Sequence, residues 1–413
     1  MKGLAEELPP LTTHEAAVEA NRCLFCYDAP CTHACPTHID IPRFIKKIAT
    51  GNLMGSARTI LEANLLGATC ARVCPVQELC EGACVLGSEH KPISIGRLQR
   101  HAMDTTQGQH LVKCAPPTTH RVAVVGSGPA GLSCAGELAR RGHQVTIFEK
   151  RPLAGGLSTY GIISLREPIE ASLDEVRLIE SLGVRIETGV KIGALDDLRQ
   201  RFDAVFLAIG LGHTPALGIP GEELIIDGLD YIEQSKLDPA GMKIGRNVVV
   251  IGAGNTAIDC ATIAKRLGAK RLGAKRLGTG RVTLVYRRTE EEMRAYPHEL
   301  EFIRKEGVEF RFEMTPESVV IEHGEVIGLA CQNGIIPADQ IIKAIGQDNP
   351  PAFDLEVHRG FVRVNHDMET SLAGVFAGGD CIRVKNVAST VMAVQDGKLA
   401  AAAIHRHLEN THG

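Results

Sequence analysis

Between Cys23 and Cys84 the chain reads Cys23-x2-Cys26-x4-Cys31-x3-Cys35-Pro36 and then, after 34 intervening residues, Cys70-x3-Cys74-Pro75-x4-Cys80-x3-Cys84. Eight of the thirteen cysteines fall in this stretch, as two quartets that each contain a Cys-Pro step. Three chemistries gather thiols in this way. A disulfide framework suits small secreted domains, but the opening MKGLAEELPP is polar and broken by proline, unlike a secretory leader. Structural zinc usually takes two Cys-x2-Cys pairs per site, whereas here one pair is followed by single cysteines. Iron–sulfur ligation suits the pattern best: a cubane needs several thiolates from one short loop, and a closing Cys-Pro often donates to a second cluster. Two [4Fe–4S] clusters are the expectation.

The 413 residues are enough for two to four domains, and 44% apolar residues supply their cores. A net charge of −4 argues against a nucleic-acid partner, whose phosphates demand a basic surface. No apolar run reaches the roughly eighteen residues of a membrane-spanning helix. A soluble, cytoplasmic chain with reduced thiols is expected.

Around the cysteines the pattern is helical. TTHEAAVEANR reads as a helix opened by Thr12 or Thr13 with Glu15 in its first turn. Ile39 to Leu66 repeats apolar residues at three- and four-residue intervals, as two helices broken near Gly51-Asn52. A third helical stretch, Ile93 to Met103, carries Gln99, and LVKCAPPTTHR reads as a linker.

After the linker the character changes. Arg121 to Val125 is a short buried strand, Gly126-Ser-Gly128-Pro-Ala130-Gly131 a GxGxxG turn, and LSCAGELARRG a helix. A second strand ends on Glu149, 23 residues after Gly126. The glycines allow a tight turn and close approach to a pyrophosphate on the helix N-terminus, and the acid suits ribose hydroxyls. The unit recurs with Asn247 to Ile251, Gly252-Ala-Gly254-Asn255-Thr256-Ala257 and a helix over Ile258 to Leu267, but the next strand ends on Arg287-Arg288, with Arg294 six residues later. Basic residues there suit a 2′-phosphate, so NADPH is favoured over NADH. Strands ending at Gly210 and Gly346, and Val375-Phe-Ala-Gly-Gly379-Asp380, complete the pattern.

These residues resemble the two-dinucleotide-domain flavoproteins, in which the C-terminal Gly-Asp returns to the first domain and meets the flavin's ribityl chain. By that resemblance Gly379 and Asp380 bind FAD, with Gly156 in the same site, and the FAD domain is discontinuous. RCLFCYDAPC with ACPTHIDI, LGATCARVCPVQELCEGAC and PISIGRLQR narrow the likeness to the iron–sulfur, FAD and NAD(P)H subunit of bacterial dihydropyrimidine dehydrogenase, related to the glutamate synthase small subunit. Plain counting assigns four cysteines to each cubane. The resemblance instead implies Cys23, Cys26, Cys31 and Cys84 for one cluster and Cys35, Cys74, Cys80 with Gln99 for the other, leaving Cys70 unused.

The expected fold is α/β: a helical iron–sulfur domain (1–115), the FAD domain in two parts (116–245 and 347–413) and an NAD(P) domain (246–346) between them. Electrons would pass between NAD(P)H, FAD and the clusters to a separate catalytic subunit carrying FMN and the pyrimidine site; a glutamate synthase large subunit or a ferredoxin is the alternative partner. No general base is needed, and no nucleophile elbow or metal-protease helix appears. Gly155-Gly156-Leu157-Ser-Thr-Tyr160 also lacks the paired cysteines that disulfide reductases place after this point.

One feature fits none of this: KRLGA-KRLGA-KRLGT, from Lys265 to Thr279. Five-residue steps turn a helix by about 140°, so the leucines cannot share a face, and each glycine costs about 1 kcal/mol in a helix. A tandem duplication on the surface is expected, with only the first copy helical.

Overall fold

The computed structural model describes residues 6–106, 111–271, 280–383 and 389–411. They form two compact units. The larger comprises residues 8–159, 169–211 and 349–413. Its helix Thr13–Asn21 starts on a capping box: Thr12 Oγ1 accepts from the Glu15 N–H at 3.2 Å, and Glu15 returns a bond to the Thr12 N–H at 2.8 Å. Helices Ile41–Ala49 and Leu53–Ala63 are separated where Gly51 takes φ +76° and Asn52 caps the second helix through Gly55 N–H at 2.9 Å. Phe44, Ile45, Ile60 and Leu61 bury their apolar faces against Ile95 and Leu98 of helix Ile95–Thr106. Each such side chain contributes about 1.5–3 kcal/mol by leaving water.

The same unit holds a five-stranded parallel sheet in the order Val375–Ala377, Ala204–Leu207, Arg121–Val125, Gln144–Glu149, Arg185–Thr188. The strands read as nearly unbroken apolar runs because helices cover the sheet; Pro129–Arg140 and the long C-terminal helix Thr390–Thr411 are the chief ones. The cysteine-bearing bundle continues into this core. Leu65, Leu66 and Cys70 share one apolar cluster with Val124, Ile147 and Ala401. Glu175 of helix Ile169–Ser181 accepts from the N–H groups of Ala68 (2.6 Å) and Thr69 (3.1 Å), at the start of helix Gly67–Val73. Lys398 Nζ donates to the carbonyls of Thr37 (3.0 Å) and Ala63 (2.6 Å).

The smaller unit comprises residues 1–7, 160–168 and 212–348. Its parallel sheet runs Ile226–Asp227, Gln340–Lys343, Asn247–Ile251, Arg281–Val285, Glu309–Arg311, beside an antiparallel sheet of Pro316–Glu322, Glu325–Cys331 and Gly334–Pro337. Ile226–Asp227 pairs with Gln340–Lys343, and the unit takes in residues 212–245 ahead of its glycine turn. In the larger unit the bundle and the first sheet share a core. Helix Asn255–Arg271 begins before Ile258 and runs two residues past the first KRLGA copy. Residues 272–279, which hold most of the repeat, lie outside the described residues. No helix among the described residues is long and apolar enough to cross a membrane.

The Glu175 contact joins bundle and sheet through bonds to a charged group, which contribute about 1.5–3 kcal/mol. Glu175→Ala is expected to lower unfolding stability in guanidinium by about 2 kcal/mol, whereas Glu180→Ala, on the exposed face of the same helix, stays within about 0.5 kcal/mol. Equal losses in both variants would show that the contact does not anchor the bundle.

Candidate functional site

The described structure brings the eight clustered cysteines to two hollows. Cys23, Cys26, Cys31 and Cys84 line the first, with Ile41, Ile45 and Ile95 behind them. Cys35, Cys70, Cys74, Cys80 and Gln99 line the second. Each hollow thus draws on both quartets, which the 34 intervening residues fold back through the helix pair. All thirteen cysteines are free thiols. Burial, then the neighbouring Cys84 and Cys23, pushes the Cys31 thiol up to about 11. A hydrogen bond with Cys70, then burial, raises Cys74, and burial raises Cys80. Grouped thiolates in such surroundings need positive charge among them.

Among the described residues no three His, Cys, Asp or Glu side chains close on one point as a single ion requires. The sulfurs ring open hollows instead, which suits a multi-iron group in which each thiolate meets a different iron. Gln99 is buried and donates through Nε2 to the Gly67 carbonyl at 2.7 Å, so its Oε1 is the end left for the second hollow. Cys70, expected to stand aside, also lines that hollow.

The first glycine turn forms a cradle of bare backbone. Gly126 sits at φ +98°, where a Cβ would lie 2.4 Å from the Ala208 carbonyl oxygen, and a Cβ on Gly156 would lie 2.6 Å from Gly128 Cα. Above Gly128 the space is open, at the N-terminus of helix Pro129–Arg140 that Ala130 and Gly131 begin. Such a cradle fits a pyrophosphate. Glu149 is buried at the strand end; its Oε2 accepts from Ser127 N–H (2.9 Å) and Ser127 Oγ (2.5 Å), and its Oε1 accepts from Arg151 N–H (2.8 Å). Ser127 also accepts from Gly155 N–H at 3.1 Å, knitting turn, acid and the Gly155-Gly156 loop together. Sequence reading missed Ser127 because it occupies a free position of the motif. Asp396 was missed too: from the last helix it accepts from Gly379 N–H at 3.0 Å and pairs with Arg383, holding the Gly379-Asp380 turn. Gly210 follows the neighbouring strand Ala204–Leu207.

In the smaller unit Gly252 repeats the device: a Cβ there would lie 2.1 Å from the Ala344 carbonyl oxygen, while Gly254 faces open space. Asn255 and Thr256 open the helix, Asn255 Oδ1 accepting from Tyr296 N–H at 3.3 Å, and Gly346 follows strand Gln340–Lys343. Arg287 and Arg288 leave the adjacent strand exposed to solvent, and Arg294 N–H bonds the Ala253 carbonyl within the glycine turn at 3.2 Å. Arg288 lies 3.5 Å from Glu292, and Glu290 pairs with Arg304. Among the described residues the side chains of Arg287 and Arg294 have no ion-pair partner.

Residues 1–111 match the family described as dihydropyrimidine dehydrogenase domain II, 4Fe-4S cluster, and residues 120–397 match the pyridine nucleotide-disulphide oxidoreductases. The crystal structure of T. acidophilum thioredoxin reductase matches over 70% of this chain and 98% of its own at a TM-score of 0.56 and 22% identity, a likeness of fold. Fold and site together define an NAD-dependent oxidoreductase subunit of the flavin and iron–sulfur class. The Escherichia coli K12 protein named NAD-dependent dihydropyrimidine dehydrogenase subunit PreT is 35% identical over 98% of this chain and 97% of its own length. The putative oxidoreductase AegA of the same strain is 32% identical over 97% of this chain and 67% of its own. The chain belongs to the family of dihydropyrimidine dehydrogenase PreT subunits, which bears out the resemblance in its cysteine and glycine motifs.

Beneath the second glycine turn, Arg166 bridges Asp259 (2.7 Å) and Glu299 (2.9 Å), all three largely buried. Burial pushes Asp259 up to about 6 and Glu299 up to about 7, against the pull of Arg166. Both folded values exceed the ordinary carboxylate range, so the folded unit keeps protons that the unfolded chain releases. The contribution is therefore full below pH about 4 and is lost as pH rises through 6 to 7. Denaturation of the wild type and of Glu299→Gln at pH 5.5 and 8 checks this: the wild type should lose stability across the interval, and the variant should lose about 1 kcal/mol less. Equal slopes would contradict the assignment.

Proposed function

We propose that this chain is the electron-transfer subunit of a dihydropyrimidine dehydrogenase, passing reducing equivalents from NAD(P)H to a separate FMN-bearing chain that reduces uracil or thymine, in a cytoplasmic setting. The observation that carries the reading is the division of the cysteines between two hollows in the same unit as the first glycine cradle. Cys23, Cys26, Cys31 and Cys84 hold one [4Fe–4S] cluster, and Cys35, Cys74, Cys80 and Gln99 hold the other. When bound, the nicotinamide supplies a hydride, the flavin divides the electron pair, and the clusters carry single electrons.

The protein's part is to bind and to space. Gly126, Gly128, Ala130 and Gly131 receive the FAD pyrophosphate, Glu149 the ribose, and Gly156, Gly210, Gly379 and Asp380 enclose the remainder. Val391 lines the second hollow from the start of the helix whose Asp396 holds Gly379, which supports giving that hollow the place next to the flavin. The first hollow is rimmed by the exposed side chains of Leu24 and Val85, and is the exit toward the partner. Gly252, Gly254, Asn255, Thr256 and Gly346 take the nicotinamide coenzyme.

Anaerobically purified protein is expected to contain about eight iron and one FAD per chain and to reduce artificial acceptors with NAD(P)H, without turning over uracil unless the partner is added. Cys23→Ala and Cys35→Ala should each remove about four iron and keep FAD, while Cys70→Ala keeps all the iron. Zinc in place of iron, or uracil reduction by the chain alone, would overturn the reading.

Coenzyme choice rests on Arg287 and Arg294, exposed beside the second turn with Glu290 and Glu292 engaged by other arginines. The relatives' names carry NAD; two such guanidiniums favour a 2′-phosphate, through bonds of about 1.5–3 kcal/mol each. NADPH is therefore the preferred donor, and Arg287→Ala should raise its KM about tenfold or more while leaving that for NADH nearly unchanged. Wild-type kinetics that favour NADH would refute this assignment.

A further inference from the structure

The second hollow contains a polar atom for which the protein supplies no partner. Asn64 lines it beside Cys35, Cys74, Cys80 and Gln99, and its side chain is fully buried. Asn64 Oδ1 accepts from the Leu66 N–H at 2.8 Å, which fixes the amide, since a flip would set two donors against each other. The buried Nδ2 is then a donor with no hydrogen-bond partner. Nor can it swing away. Asn64 closes helix Leu53–Ala63 through its own N–H to the Ile60 carbonyl at 2.8 Å, and Lys398 holds the adjoining Ala63 carbonyl at 2.6 Å.

Buried donors go unmade at a high cost, and each is expected to find an acceptor. Beside Gln99 and the cysteines the wall around Asn64 is aliphatic, with Ile39, Val76, Leu79 and Val391 offering no acceptor, and Gln99 Oε1 makes no bond to Asn64 Nδ2. Sulfur atoms are what the hollow provides. The first hollow differs: apart from its cysteines, every residue lining it is apolar.

We propose that Asn64 Nδ2 donates an N–H···S hydrogen bond to the cluster in the second hollow and raises its reduction potential above that of the cluster in the first. The inference rests on the reading that this hollow holds a four-iron cluster. One-electron reduction adds negative charge to the cluster's sulfurs. A fixed N–H dipole aimed at one of them stabilises the reduced form more than the oxidised, with no proton transferred. The flavin-facing site thus becomes the better acceptor.

The test is an anaerobic redox titration of the full chain followed by EPR, extended to low potential by photoreduction, with iron and FAD measured on the same samples. Asn64→Ala should keep its iron and FAD, lower the midpoint of one cluster by a tenfold change in its oxidised-to-reduced ratio, ~59 mV for one electron, and leave the other cluster and the flavin unmoved. A second measurement needs no variant. Wild-type protein labelled with 15N in its asparagine amides should show a nitrogen hyperfine coupling in the pulsed EPR of one reduced cluster, and no other asparagine lines either hollow. Full iron with an unmoved midpoint, or no such coupling in the labelled wild type, overturns the proposal alone. An iron content unaffected by Cys35→Ala overturns the underlying reading, and the proposal with it.

Discussion

Every other feature of this protein depends on the burial of thiols that repel one another once ionised. Cys31, Cys74 and Cys80 all have their ionisation suppressed by burial and by other cysteines. Two hollows walled by such groups are unstable as anions on their own. Iron bound there would supply the missing positive charge, and under the proposed ligation the bundle would fold together with its clusters rather than in succession. The short helices around the cysteines, Gly67–Val73 among them, make sense in that light: they would deliver ligands, and a bound cluster would supply cohesion that a larger core otherwise gives.

A carrier of single electrons also needs fixed spacing. The cysteine bundle is not a bead on a linker but part of the first sheet's core, through Leu65, Leu66 and Cys70, the Glu175 carboxylate and the Lys398 ammonium. Both hollows and the first glycine cradle therefore belong to one compact unit. The second glycine turn belongs to the other, whose sheet is completed by Ile226–Asp227. Burial serves different ends in the two: in the first it encloses sulfur, and in the second it holds Arg166 between two carboxyl groups, Asp259 and Glu299.

Much of this was legible in the chain because it is local. The Thr12 and Glu15 capping box, the break at Gly51-Asn52 and both glycine turns are written within a few residues each, and they fold as written. What was not legible is long-range. Ser127 fills a position where the motif accepts any residue, and its role appears only when Glu149 and Gly155 come within reach. Asp396 is 17 residues from the Gly379 it holds. The two-residue strand Ile226–Asp227 is too short to leave a periodicity, so its place at the edge of the second sheet was not legible. The division of the cysteines came from family resemblance rather than spacing, since each hollow mixes cysteines from both quartets.

The claim on which the whole account stands is that these hollows hold two four-iron clusters. Mössbauer spectroscopy of 57Fe-enriched, anaerobically purified protein tests it most directly, because it resolves iron by valence and ligation. The expected spectrum assigns all of the iron to delocalised mixed-valence sites in two nearly equal populations, one of them marked by the oxygen donor of Gln99. A spectrum of isolated tetrahedral iron, or of a single cluster population, would contradict it.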